Sequence, residues 1–227
     1  YKGTNSSTAY PYVNTQSSAP YGTKTLYFNG STTTYSYAAT PRFDDEVLMD
    51  SLQITFNAYK GSASYLIEVG IMSDPTDYST FELVGSFSPT ATSTWQAAEI
   101  LTRGYNGNGR HVAFRTPQWF SNTMYIDDIN IDYIPNCLHV TNLHTTSVDS
   151  TAATIVWQAG GEETEWEVIL VEGNGGAIPD EEATIESIQE TPSYTAEDLS
   201  SASFYTIYVR ANCGNSYSAW ERLLFQT

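Results

Sequence analysis

Basic residues, histidine and cysteine are scarce in this chain: nine Lys and Arg stand against 26 Asp and Glu, with three His and two Cys in 227 residues. A net charge of −17 repels polyanions, so nucleic acid and anionic membrane surfaces are poor partners. Cys137 and Cys213 are far apart and have no cluster of His or Cys beside them, which argues against a zinc site. No stretch approaches the ~18 consecutive apolar residues of a membrane span, which excludes insertion by a helix. The chain opens on Tyr1-Lys2-Gly3 rather than on a charged start and an apolar segment, so any signal peptide is expected to be gone already. Strong helix formers are thin too, with Lys reduced to Lys2, Lys24 and Lys60.

What remains is rich in Thr, Ser and aromatic residues, including 17 Tyr, in short apolar runs separated by Gly, Pro, Asn and Ser. That composition predicts an all-β protein. With ~100 to 150 residues as the usual domain size, the length predicts two domains. Charge divides them: residues 1–134 hold seven Lys and Arg against twelve Asp and Glu, residues 135–227 two against fourteen. The run Asp180-Glu181-Glu182 reads as a solvated loop.

In the first half, Thr25 to Phe28 runs into Asn29-Gly30, Ser51 to Phe56 alternates, and Tyr65, Ile67, Val69 and Ile71 share one face. Asp74-Pro75-Thr76-Asp77 is a tight connection. Phe81 to Val84, Trp95 to Ile100, His111 to Arg115 and Met124 to Ile131 follow, with Gly104 to Gly109 read as a hairpin turn. Strands of this number and spacing predict a jelly-roll β-sandwich.

In the second half, Leu199, Tyr205, Val209 and Ala211 have the offsets of a sandwich corner in which an inward Tyr ties a late strand to the preceding turn. Ala153 to Trp157 and Trp166 to Val171 supply earlier strands with bulky indoles. Across residues 135–227 this pattern resembles a fibronectin type III domain, an immunoglobulin-like β-sandwich. In that frame Cys137 precedes the opening strand and Cys213 ends the strand carrying the Tyr, both at one pole, so a disulfide is expected; two free buried thiols are the alternative. A disulfide implies an oxidising compartment, hence a secreted or cell-surface protein.

The first half also carries a resemblance, in Tyr125-Ile126-Asp127-Asp128-Ile129, Gly109 to Arg115, Ile71 to Pro75, Trp95 and Tyr21 to Leu26. In this order they are similar to the jelly-roll surface modules of Bacteroidetes called choice-of-anchor J or cleaved-adhesin domains, and to the MAM domains of animal cell-surface proteins. Such domains often carry a further N-terminal strand, which is expected to be missing or altered here. The resemblance implies a structural Ca²⁺ at Asp127, completed by backbone carbonyls of Gly22 and Lys24. Strand parity places Asp127 with Ile129 and Ile131, facing the interior, where its charge needs compensation. Backbone N–H groups, Arg103 or Arg115 are the alternatives to a metal.

Other candidates lie in loops. Trp119 and Phe120, flanked by Gln118 and Asn122, put two bulky rings in a polar segment and offer a platform for a sugar face or a protein. Tyr105 is a further ligand candidate, with Tyr35 and Tyr37 behind it. Asp44-Asp45-Glu46 and Asp50 lack the spacing of a calcium loop, and the three His form no triad with Ser and Asp. The expected function is non-catalytic recognition, by a monomer, of a glycan or an extracellular protein. The alternatives are a structural spacer or an accessory region of a larger secreted hydrolase.

Overall fold

Burial along the strands follows the alternation of their side chains. Leu52, Ile54, Phe56 and Ala58 are buried while Gln53, Thr55, Asn57 and Tyr59 between them stay half-buried, as one-sided packing on a core requires. The computed structural model describes residues 2–4, 11–29, 35–61, 66–117, 123–176 and 185–227. It divides into two units, Tyr1–Ile134 and Pro135–Thr227.

The first unit has two antiparallel sheets. The strands of one, in spatial order, are β1 (Lys2–Thr4), β4 (Ser36–Ala39), β9 (His111–Thr116), β6 (Ile67–Met72) and β7 (Phe81–Phe87). Those of the other are β2 (Tyr12–Thr15), β3 (Lys24–Asn29), β10 (Thr123–Tyr133), β5 (Leu52–Lys60) and β8 (Gln96–Leu101). Setting aside the outermost β1 and β2, the orders 4-9-6-7 and 3-10-5-8 are those of the two sheets of a jelly roll. Between the sheets pack Phe28, Ile54, Phe56, Ile67, Val69, Ile71, Val112, Phe114, Met124 and Ile126. The segment from Gly104 to Gly109 is not a hairpin turn. It joins β8 in one sheet to β9 in the other, and the Tyr105 hydroxyl closes it by accepting the Gly109 N–H at 2.8 Å.

In the second unit a three-stranded sheet, β11 (Thr141–Val148), β12 (Ala153–Gln158) and β15 (Ser193–Ala196), faces a four-stranded one. The latter runs β14 (Glu186–Gln189), β13 (Glu165–Glu172), β16 (Phe204–Ala211), β17 (Glu221–Gln226). Trp157 and Trp166 meet edge to face at 5.8 Å inside, with Ile155, Val168, Ile207 and Val209 around them. Buried Tyr205 accepts the Ser200 N–H at 2.8 Å, which makes the expected corner. Cys137 and Cys213 are disulfide-bonded, with Cα atoms 5.8 Å apart.

Candidate functional site

Cross-strand register assembles a feature on the outer face of the β2-β3-β10-β5-β8 sheet. Tyr12 pairs with Tyr27, Tyr27 with Tyr125, and Tyr125 with Tyr59, so four tyrosines stand in one rung on the side away from the core. Trp95, immediately before β8, continues it. Ring centroids are 4.8, 4.9, 5.6 and 5.3 Å apart in that order, and the rings tilt against one another. Tyr12 at one end is 46% exposed and the others are half-buried. Partial burial raises the Tyr27 hydroxyl above the ordinary phenol range, and the neighbouring Tyr12 and Tyr125 add to it; Tyr125 is raised for the same reasons, beside Tyr12 and Tyr59. Tyr27 and Tyr125 are therefore uncharged at neutral pH.

Two residues further along these strands runs a polar row: Asn14, Thr25, Asp127 and Asn57, held in place by the pairs Asn14–Thr25 and Asp127–Asn57. Here the structure corrects the parity expected for Asp127. The β10–β5 register slips between Asp127 and Asn130, where Asp128 adopts φ 52°, a β-bulge that inserts one residue. Met124 and Ile126 before the bulge, and Ile131 after it, face the core; Ile129 is 40% exposed. Asp127 shares the face of Tyr125 and lies half-buried on the outer surface. Its carboxylate accepts the Tyr21 N–H at 3.2 Å, and the Asn57 amide donates to Asp128 at 3.4 Å. The structure thus brings Asp127 to the Tyr21–Lys24 segment, in which Gly22 takes φ 66°. Lys24 itself donates to the Thr15 hydroxyl at 3.0 Å. Thr25 is 2% exposed and its hydroxyl has no hydrogen-bond partner.

The opposite sheet does not offer such a face. Over β4, β6 and β9 the segment after β6 folds back, so that Tyr37, Ala39, Met72, Ala113 and Phe81 form a second small core. The Tyr37 hydroxyl donates to the Pro75 carbonyl at 3.3 Å, and a Cβ on Gly70 would meet the Phe81 ring at 2.4 Å. Arg115 completes this cover, pairing with Glu68 at 2.6 Å with its guanidinium over the Phe81 and Tyr35 rings. In the second unit, Gly175 donates to the Thr206 hydroxyl at 2.9 Å and crosses the outer side of β16, where Thr206 and Tyr208 are buried.

Of the other residues singled out by sequence, Gln118, Trp119, Phe120 and Asn122 lie outside the described residues. Tyr105 lines two shallow clefts of about 200 and 180 Å³, one shared with Arg103 and Asn106, the other with Asp50 and Arg110. The Asp44–Glu46 turn is held by Arg110, which donates to the carbonyls of Asp44, Asp45 and Val47, and Arg42 holds the Asp45 carboxyl below its usual range. His111, His139 and His144 sit with Thr40, Glu221 and Asn142 respectively, in no common site. Among the described residues no group of three or more His, Cys, Asp and Glu converges as a metal site.

Residues 138–227 match the model of the fibronectin type III domain, in keeping with the strand orders of the second unit. No curated protein sequence matches the chain. Among solved structures, an FN3 domain of human collagen XX is 17% identical, with 41% of this chain and 95% of that one covered and a TM-score of 0.34. The FN5 domain of Drosophila Lar is 15% identical over 40% of this chain and 96% of its own, at 0.33. The glycoside hydrolase domain of Endo-D from Streptococcus pneumoniae R6 is 12% identical; this chain is covered in full but spans 37% of that one, at 0.41.

Proposed function

We propose that this chain is a non-catalytic recognition module of a bacterial surface or secreted protein, binding a glycan or an extracellular protein through the outer tyrosine face of its first unit. The carrying observation is the rung from Tyr12 to Trp95. Aromatic side chains left half-exposed in register, beside hydrogen-bonding side chains, make a recognition surface. The fibronectin type III unit with its disulfide belongs to an oxidising, extracellular setting. Acid–base hydrolysis needs two carboxyl groups across one cleft, whereas Asp45 is engaged by Arg42 and Asp127 by Tyr21 on a sheet face. Gln118, Trp119, Phe120 and Asn122 are proposed as further ligand contacts on the strength of the sequence alone.

The proposal includes a structural Ca²⁺ at Asp127, with Gly22 and Lys24 contributing carbonyls. The donor set fits in part: Asp127 and Asp128 supply carboxylates at one bulge, Asn57 an amide, and the Thr25 hydroxyl beside them is buried and unpartnered. Such hard oxygen donors suit Ca²⁺, which would fix the bulge and the Tyr21–Lys24 segment.

The test is a glycan and matrix-protein binding screen of the full chain beside its Tyr125→Ala and Tyr59→Ala variants. Capture lost in both variants, with folding retained, supports the reading. Capture unchanged in both overturns the assignment of this face.

A further inference from the structure

We propose that the ligand of the tyrosine face is an uncharged, extended polysaccharide lying along the rung, across the strands; this rests on the reading of that face as the binding surface. Shape is the first reason. Bordered on one side by the polar row, the rung is a stripe rather than the rounded aromatic cluster, ringed by neutral contacts, that centres a protein interface. A stripe suits a linear polymer whose every unit repeats one apolar C–H face and one set of hydroxyls. Five rings across adjacent strands extend over four strand spacings, about 19 Å. The length of one hexose in an extended chain is comparable to one such spacing, so the rung accommodates about four or five sugars, roughly one per ring.

The side chains beside the rung include hydrogen-bonding groups suited to sugar hydroxyls, the Asn14 and Asn57 amides. Charge narrows the class. The outward positions of β10 and β8 carry Asp132 and Glu99, the described strands of this sheet place no Lys, Arg or His outward, and residues 1–134 hold twelve Asp and Glu against seven Lys and Arg. Lys24 stands opposite Thr15, on the other side of its strand from Tyr27, and Lys60, 6% exposed, continues the core side of β5. Uronate, sulfated and phosphate-bearing chains are therefore repelled, most strongly at low ionic strength.

The experiment titrates the full chain with neutral gluco-, manno- and xylo-oligosaccharides from dimer to octamer, and with oligogalacturonate as the charged comparison. Heat and Trp fluorescence are the readouts. Affinity should rise with length in at least one neutral series and level off near four or five units, with oligogalacturonate much weaker. Tyr125→Ala, at the centre, should weaken binding about tenfold or more, and Tyr125→Phe, which keeps the ring, much less. Tyr12→Ala, at the exposed end, should shorten the optimal chain and serves should Tyr125→Ala fail to fold. Length-independent binding, or oligogalacturonate bound as tightly, overturns the proposal. If no oligosaccharide binds while Tyr125→Ala and Tyr12→Ala lose capture of a matrix protein, the polysaccharide is wrong and the recognition face stands. If Tyr12→Ala and Tyr59→Ala leave all binding unchanged, both fall.

Discussion

Replacing Cys137 and Cys213 together by Ser tests how much of the second unit rests on one covalent bond. The cysteines are separated by 76 residues, and for a closed loop of that size the chain-entropy model gives about 4.5 kcal/mol at 25 °C. Serine isolates this effect: the carbonyl oxygens of Ala211 and Ser216 lie 3.7 and 3.8 Å from the Cys137 sulfur, so a hydroxyl placed there finds acceptors. Measured losses often fall short of the entropic figure, so a loss of about 2 to 4.5 kcal/mol is expected. Urea unfolding followed by the fluorescence of Trp157 and Trp166, which are 3% and 2% exposed, reports on this unit. At ~1.5 kcal/mol per molar urea, the midpoint should fall by roughly 1.3 to 3 M. A midpoint unchanged in the double variant, or two alkylatable thiols in the native protein, would refute the reasoning.

Tyr205→Phe removes the acceptor of the Ser200 N–H and should cost about 1 kcal/mol in the same urea assay; no change would mean that the corner is held by packing alone. Arg115→Met leaves Glu68 half-buried without its cation and strips the cover from Phe81, for an expected loss of about 2 to 4 kcal/mol in the first unit; Glu68→Gln should cost less. Hydrogen bonds to Arg42, Thr76 and Thr151 hold the carboxyl groups of Asp45, Asp74 and Asp149, respectively, below the ordinary aspartate range. Depressed folded values mean stability that is complete above ~3.9 and lost as pH falls through the folded values, so the melting temperature should decline below about pH 4. Asp149→Asn should blunt that decline in the second unit, and a melting temperature that rises on acidification would contradict it. If Ca²⁺ is held at Asp127, at a hundredfold excess over Kd it adds roughly 2.7 kcal/mol; chelation should lower the melting temperature of the wild type and not of Asp127→Asn. Equal curves with and without chelator would remove the metal.

Much of the fold was legible because it is written locally. Alternation in Ser51 to Phe56 and in Ile67 to Ile71 is a property of consecutive residues, and so were the turn at Asp74-Pro75 and the Leu199–Tyr205 offset. The site was less legible. Trp119 and Phe120 are conspicuous as adjacent rings in a polar segment, whereas Tyr27, Tyr59 and Tyr125 each read as the outward member of an alternating strand. That signal was present, since each stands between residues of the core, yet taken singly it marks only a half-exposed tyrosine.

The sequence by itself determined that the chain is all-β, that its two halves differ in charge and pattern, and where most strands and the inward tyrosine of the second unit fall, because these depend on neighbours within a few residues. Only the tertiary structure decided three things. Register across four antiparallel pairings gathered Tyr12, Tyr27, Tyr59, Tyr125 and Trp95 into one rung. The bulge at Asp128 reversed the parity of β10 and turned Asp127 outward. The segment after β6 covered one sheet, while the described residues leave the tyrosine rung of the other partly exposed. Each is settled by which strands pair and in what register, and a single inserted residue exchanges the two faces of everything beyond it.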